Sequence, residues 1–369
     1  MKHTKHAKLT RPALGNFGRN EWSILGTVCG EIDKLANSLL EHFGSKYNTV
    51  YIDADHQPAD LDNPQVALYT DKINFQRLEW AKPLNSYQHR PLMNGYDFIL
   101  VNGNHAKAKK QILVIDQKKK ESISRKIDRL QDIQLILYKN EEKEIYDFLI
   151  EQIPGIKEVP SLKWEETDKI ISFLEEKLAA EIPALNALIL AGGKSQRMGR
   201  DKAQINYHGS AQKDHLYKLA KQFVKESYLS IRQDQESPIK KTIKDAFVGL
   251  GPYGAILSAF KEQPDSAWLV IACDLPYVDE GAISYLISNR DPSKVATAFY
   301  NPETDFPDPL FTIWEPKAYL VMLQFLAQGY SCPRKVLINA DVAEIQLGDK
   351  KWITNVNTPE DFEKVVGGL

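Results

Sequence analysis

Cysteine is scarce in this 369-residue chain: Cys29, Cys273 and Cys332 stand far apart, with no paired metal-ligand spacing. Neither a disulfide framework nor a zinc cluster is indicated, and a reducing cytoplasm is the expected compartment. Long apolar runs are missing too. None approaches the roughly 18 residues that cross a bilayer, and residues 1–11 are basic and polar with no apolar signal core behind them. That predicts a solvated terminus and no membrane partner. An excess of one charge is also absent, because 47 Lys plus Arg face 49 Asp plus Glu, a net charge of −2. No global field therefore selects nucleic acid, and any anion site must be local. What is present is ordinary globular composition, 43% hydrophobic and 26% charged, which excludes collagen-like, mucin-like and wholly disordered classes. At roughly 150 residues per domain, the length predicts two domains.

Short apolar runs at 22–25, 49–53, 97–101, 111–115 and 134–137 have the character of buried parallel strands. Between them, residues 34–43, 122–130 and 141–153 carry helix-period apolar positions, so this part reads as a three-layer α/β unit. Ile170, Leu174 and Leu178 then fall on one face of a helix that ends before Pro183. A second series follows with strands at 187–191, 268–272 and 295–299. The expected architecture is α/β, two three-layer α/β/α domains spanning 1–182 and 183–369, with the boundary between Glu181 and Leu185.

The strand at 187–191 runs into Gly192-Gly-Lys-Ser-Gln-Arg-Met-Gly-Arg-Asp-Lys202, dense in glycine, hydroxyl and cationic groups. Gly192 and Gly193 lack a Cβ, so their amides can approach phosphate oxygens closely. Arg197 offers a planar fork and Lys202 a point charge. Each alone is an ordinary solvent-loop residue; together, behind a buried strand, they favour a triphosphate. The spacing is neither the dinucleotide G-x-G-x-x-G nor the Walker G-x-x-x-x-G-K-[ST].

It does resemble a family signature. Leu190-Ala-Gly-Gly-x-Ser-x-Arg-Met-Gly-x-Asp-Lys202 is similar to the opening motif of the molybdenum cofactor guanylyltransferases, in the nucleotidyltransferase superfamily. Gly251-Pro-Tyr-Gly-Ala-Ile-Leu-Ser258 is similar to the family's Gly-Pro-hydrophobic-Gly-Gly turn, with Ala255 where a second glycine is usual. Cys273-Asp-Leu-Pro276 resembles its Cys-Asp-x-Pro, and Asn355-Val-Asn-Thr-Pro-Glu-Asp361 its closing element. The resemblance covers about 185–369. It implies a Rossmann-like nucleotidyltransferase fold of the nucleotide-diphospho-sugar transferase type. It also implies transfer of GMP from GTP to the terminal phosphate of Mo-molybdopterin, with Mg²⁺ as cofactor and pyrophosphate as leaving group. On that resemblance Leu190, Ala191, Gly192, Gly193, Ser195, Lys202, Asp245, Gly251 and Asp274 hold the nucleotide. Lys202, Arg197 and Asp274 are catalytic, Asp274 carrying the metal, and Arg334, Asn355 and Asn357 receive the pterin phosphate.

Each assignment has a plainer counterpart in the residues themselves. A carboxylate at the carboxyl end of a parallel strand sits where open α/β sheets bind ligands, and Mg²⁺ takes one or two carboxylates plus phosphate oxygens, but Asp274 can equally cap the helix after Pro276. Asn355 and Asn357 complete a metal shell, bind the second substrate's phosphate, or form the turn that opens the last helix. Asp245 is a nucleotide ligand or an exposed helix-end acid; Arg334 and Lys335 are phosphate ligands or a surface helix start. Cys273 and Cys332 read as packing residues. Leu-Ala-Gly-Gly is similar to the guanylyl branch, whereas the cytidylyl branch usually shows Leu-Ala-Ala-Gly. A transferase of the same fold using CTP or a sugar phosphate, and a non-catalytic cofactor-delivery protein, remain as alternatives.

In the first half, the strand at 22–25 leads into Gly26-Thr-Val-Cys-Gly-Glu-Ile-Asp-Lys-Leu35, where a P-loop would sit. With Gly30 as the second glycine, Glu31 takes the lysine position and Ile32 the metal-binding hydroxyl, which puts a negative charge beside phosphates. Order and context resemble the molybdopterin-guanine dinucleotide biosynthesis adaptor proteins, with Asn102 in place of an acid in 97–103. The resemblance implies a degenerate adaptor-like domain that docks cofactor or partners, molybdoenzymes or other cofactor-synthesis proteins among them; a structural appendage is the equal alternative.

Overall fold

The computed structural model describes residues 9–55, 67–80, 82–139, 144–192, 202–356 and 359–366. Ala13–Glu181 form one compact unit and Ile182–Leu369 the other, with which the residues up to Pro12 are grouped rather than with the first domain as expected. Among the described residues, no helix is long and apolar enough to cross a membrane.

In the first unit, β1 (Glu21–Leu25) leads to α1 (Cys29–Phe43) and β2 (Thr49–Ile52). A hairpin of β3 (Leu68–Asp71) and β4 (Gln76–Glu79) precedes α2 (Ser86–Met93) and β5 (Phe98–Asn102). There follow β6 (Lys110–Ile115), α3 (Lys120–Arg125), β7 (Ile133–Tyr138), α4 (Asp147–Gln152), β8 (Ser161–Lys163) and α5 (Thr167–Ala180). The sheet has the order β2-β5-β1-β6-β7-β8, and every pair in it is parallel. Apolar runs buried on both faces make this possible: β1 and β5 are buried throughout. α1 buries Ile32, Leu35, Ala36, Leu39 and Phe43 at helical spacing, and α5 buries Ile170, Leu174 and Leu178 against the same core cluster. The helix expected over 122–130 is broken. Lys126 leaves helical geometry at φ −115°, ψ 24°, and Ile127–Arg129 continues as a 3-10 turn, which lets Ile123 and Leu130 both reach one core.

The second unit is built on β9 (Leu185–Leu190), α6 (Gln212–Ala220), β10 (Glu226–Ile231), β11 (Thr242–Lys244), α7 (Pro252–Glu262) and β12 (Ala267–Ala272). α8 (Glu280–Ser288), β13 (Ala296–Asn301), β14 (Phe306–Trp314), α9 (Ala318–Ala327), α10 (Pro333–Asn339), β15 (Val342–Ile345) and α11 (Pro359–Val366) complete it. Its seven strands run β11-β10-β9-β12-β14-β13-β15, with β14 antiparallel to both β12 and β13. Two cores cover the two faces. Ala187, Ile189, Leu269 and Ile271 face one, while Leu188, Trp268 and Val270 face the other, as the period-two alternation of a strand requires. The unit is a mixed α/β fold on a mostly parallel sheet, as the sequence leads one to expect.

Candidate functional site

β9 and β12 are parallel neighbours, paired from Leu185 with Ala267 to Leu190 with Ala272, so the loops that follow them leave the sheet side by side. Strand β10 flanks β9 on the other side. The three carboxyl ends open into one cleft, lined by Leu190, Ala191, Gly192, Ser230, Asp245 and Asp274 among others. Counting the open solvent at its mouth it holds about 690 Å³. Gly251 and Pro252 at the start of α7 line it as well, which brings the positive end of an 11-residue helix to its wall.

Local chemistry holds each wall in place. Gly251 has φ +56°, a conformation that favours glycine, and Pro252 behind it starts the helix with its fixed φ. A Cβ on Gly254 would stand 2.2 Å from the carbonyl oxygen of Phe247, so the turn packs against α7 only because that position is glycine. Ala255, where the family resemblance expected a second glycine, is buried and lines the cleft. Arg232 donates to the carbonyl of Gly192 at 3.3 Å, and the amide of Ala191 donates to Ser230 at 3.1 Å.

The loop of Asp274 is clamped by its own carbonyls. Gln212 donates through Nε2 to Leu275 at 3.1 Å, Nε2 of His208 lies 2.9 Å from the carbonyl oxygen of Pro276, and the amide of Val356 donates to Asp274 at 2.9 Å. The alternative role for Asp274, capping the next helix, falls elsewhere. Asp279 accepts from the amide of Ala282 at 2.7 Å and caps α8.

Charges in and around the cleft respond to its dryness. Burial pushes the Asp245 carboxyl above the usual carboxylate range, against smaller lowering by Ser230, whose hydroxyl is 3.5 Å away, and by Arg232. Tyr207 is pushed up to about 12, first by burial and then by the carboxylates of Asp274 and Asp361.

One acid escaped the sequence reading. Asp308 lies on β14 and is 4% exposed, accepting from the amides of Leu310 and Phe311 at 2.9 and 3.0 Å. Ile271 pairs with Phe311 across antiparallel strands, so Asp274, three residues after Ile271, and Asp308, three residues before Phe311, lie at the same end of the sheet. Burial raises the Asp308 carboxyl; its two amide donors and Arg334 pull it down, and Asp274 pushes it up. Its signal in the sequence was an acid between Pro307 and Pro309 inside an otherwise apolar run.

The cleft thus gathers Leu190, Ala191, Gly192, Asp245, Gly251 and Asp274. Arg334, in the first turn of α10, is not among its lining residues and reaches the site's electrostatics through Asp308. Asn355 is exposed, next to the Val356 amide that binds Asp274. Lys202 begins a 3-10 turn; its side chain, and Gly193, Ser195, Arg197 and Asn357, lie outside the described residues. Cys273 is buried as expected, but Cys332 is exposed at the start of α10, because the chain there turns outward before Pro333 is buried.

Comparison with known proteins adds an independent line. Residues 187–342 match the family model described as MobA-like NTP transferase domain. A molybdenum cofactor biosynthesis bifunctional protein of Synechocystis sp. is 36% identical over 185 residues, 49% of this chain and 53% of that protein. The chain therefore spans about half the length of that relative. A probable molybdenum cofactor guanylyltransferase of Carboxydothermus hydrogenoformans is 27% identical over 190 residues, 49% of this chain and 95% of that protein. The crystal structure of molybdopterin-guanine dinucleotide biosynthesis protein A from Archaeoglobus fulgidus aligns with 49% of this chain and 97% of its own at 20% identity, with a TM-score of 0.42. Residues 187–342, within the second unit, are thus similar to MobA-like NTP transferase domains.

Proposed function

We propose that the second unit transfers GMP from GTP to the terminal phosphate of Mo-molybdopterin, releasing pyrophosphate. The observation that carries this reading is the cleft itself. It draws Leu190, Gly192, Asp245, Gly251 and Asp274 from four separate stretches of the chain to the carboxyl ends of adjacent strands, where α/β sheets bind nucleotides. The name of the Carboxydothermus relative, a probable molybdenum cofactor guanylyltransferase, supports guanylyl transfer, and that of the Synechocystis relative supports molybdenum cofactor biosynthesis.

A Mg²⁺ ion fits the donor set. Asp274, on a loop held by its backbone carbonyls, lines the cleft and couples electrostatically to the buried acid Asp308, and a hard cation of this kind takes one or two carboxylates and completes its shell with phosphate oxygens. Bound there, it supplies charge neutralisation along the nucleotide phosphates. The protein's own share is positioning. The glycine backbone at Gly192 lets the nucleotide approach the end of β9, and the amino end of α7 faces negative charge across the cleft. Lys202 and Arg197 offset charge on the α-phosphate and the departing pyrophosphate. Asn355, Asn357 and Arg334 receive the acceptor phosphate.

In the first unit the turn after β1 is occupied by the chain's own charges. Lys139 pairs with Glu31 at 3.2 Å and with Asp116 at 3.7 Å, and Thr27 donates to Asp116 at 2.6 Å. The Lys139 hydrogen bond holds the Glu31 carboxyl below its ordinary value. This supports reading Ala13–Glu181 as an adaptor-like domain without triphosphate chemistry.

Incubation of the purified chain with GTP, Mg²⁺ and molybdopterin, followed by mass spectrometry, tests the transferase reading. A guanine dinucleotide of the pterin is the expected product; a folded protein that leaves the pterin unmodified overturns it.

A further inference from the structure

Away from the cleft, the first unit assembles a second set of reactive groups. Cys29 is the first residue of the 15-residue helix α1. Its sulphur lies 3.2 Å from Nε2 of His105 and 3.5 Å from the amide nitrogen Nδ2 of Asn104. The same His105 nitrogen stands 3.7 Å from Oδ1 of Asp53. The groups come from three places in sequence: the turn after β1, the loop after β5 and the end of β2. Because β5 lies between β1 and β2 in the sheet, all three emerge at one carboxyl edge, where α/β folds build ligand sites. The amide of Ala54 donates to Oδ1 of Asp53 at 2.7 Å, which holds the acid, while the Tyr51 hydroxyl behind it lies 3.4 Å from Oδ2 and donates to Asp33 at 2.6 Å.

We propose that Cys29, with His105 as its base, is a nucleophilic thiol that takes a low-molecular-weight disulfide and is converted to a mixed disulfide. The thiol proton passes to His105 as the sulphur attacks one sulphur of R–S–S–R. A new S–S bond joins Cys29 to that sulphur, the old S–S bond breaks, and the departing R–S⁻ takes the proton from His105. Cys29 is oxidised and the leaving sulphur reduced, so electrons and protons balance. Asp53 faces the positive charge that His105 carries in between, and the amino end of α1 faces the negative charge that develops on sulphur.

Two features select a small disulfide and a lasting adduct. Cys29 is half-buried, and the His105 and Asp53 side chains are 16% and 27% exposed, so a compact reagent reaches the sulphur more readily than a protein-bound disulfide. Cys273 and Cys332 both belong to the other unit. With no second thiol in its own unit to resolve the bond, Cys29 keeps its adduct until an external thiol removes it.

The test uses the full chain and dithiodipyridine, with the modified cysteine identified by peptide mass mapping. Cys332, exposed in the same molecule, is the internal benchmark. Cys29 is expected to react at least about tenfold faster than Cys332, and His105→Gln to cut the Cys29 rate at least about tenfold while leaving the Cys332 rate unchanged. A Cys29 rate no greater than that of Cys332 in the unmodified chain overturns the proposal without recourse to any variant. So does an unchanged Cys29 rate in His105→Gln.

Discussion

The backbone amide of Val356 donates to the backbone carbonyl of Asp274 at 2.9 Å. Through this single bond the segment that leads into α11 is fastened to the turn after β12, 82 residues earlier in the chain. Asn355 is thereby held beside the loop that carries the cleft's carboxylate. Its substitution by alanine is expected to raise the KM for the pterin acceptor about tenfold or more and to leave the KM for GTP within twofold, since lost hydrogen bonds to one substrate are felt by that substrate. Initial rates with each substrate varied in turn make the distinction.

Gly192 gives a test of base selection. The three atoms nearest a Cβ built there belong to Arg232 and Ile231, at 3.4–3.7 Å, ordinary contact distance. Gly192→Ala should therefore fold normally, with Tm shifted by no more than about 3 °C. Gly192 lines the cleft, so on the proposed reading the added methyl narrows the nucleotide's approach to the end of β9. Turnover with GTP is expected to fall by about tenfold or more relative to CTP, as read by parallel assays with the two nucleotides.

Asp245 should leave a signature in the pH dependence of stability. Its carboxyl is raised in the folded state by burial, so between the ordinary Asp value of about 3.9 and that raised value the native protein binds the proton more tightly than the unfolded chain. Stability from this group is present below that window and lost as the pH rises through it. Asp245→Asn removes the loss. Thermal melts should show the variant more stable than wild type at neutral pH, with the two curves converging below pH 4.

A buried ion pair supports the far end of the same sheet. Arg290 grips Glu315 with two bonds of 2.6 and 2.9 Å and also donates to the carbonyl of Pro183 at 2.9 Å; Glu315 is completely buried. Arg290→Ala strands a carboxylate in the interior, at a cost of about 3–5 kcal/mol. That corresponds to a fall in Tm on the order of 10 °C. Replacing both residues by Met should recover most of the loss, because well-packed apolar side chains substitute for buried pairs. Differential scanning calorimetry of the three proteins reads the result.

Strands buried on both faces were the most legible part of the sequence. The apolar runs at 97–101, 111–115 and 268–272 carry no polar interruption and appear within a residue of where they are expected, as β5, β6 and β12. β10 and β14 were hidden for physical reasons. Ser227 and Ser230 break the apolar run of β10, and Pro307, Asp308 and Pro309 break that of β14, although Ser227, Ser230 and Asp308 are all buried in the fold. Asp308 could not be found from spacing, because its place opposite Asp274 arises from antiparallel pairing between distant segments. The glycines told more. Gly251 and Gly254 are explained by a left-handed turn and a close backbone approach, constraints that act locally and so show in the sequence. The Cys29–His105 pair was invisible for the opposite reason: 76 residues separate its members.

The account rests on nucleotidyl transfer in the cleft, and pyrophosphate release reads that most directly. The chain would be assayed with Mg²⁺ and molybdopterin in the presence of GTP, CTP, ATP or UTP, alongside Asp274→Ala. Release with GTP alone, reduced by about 100-fold or more in the variant, is the expected result. Release that survives undiminished in Asp274→Ala, or no release with any nucleotide from a folded sample, contradicts it.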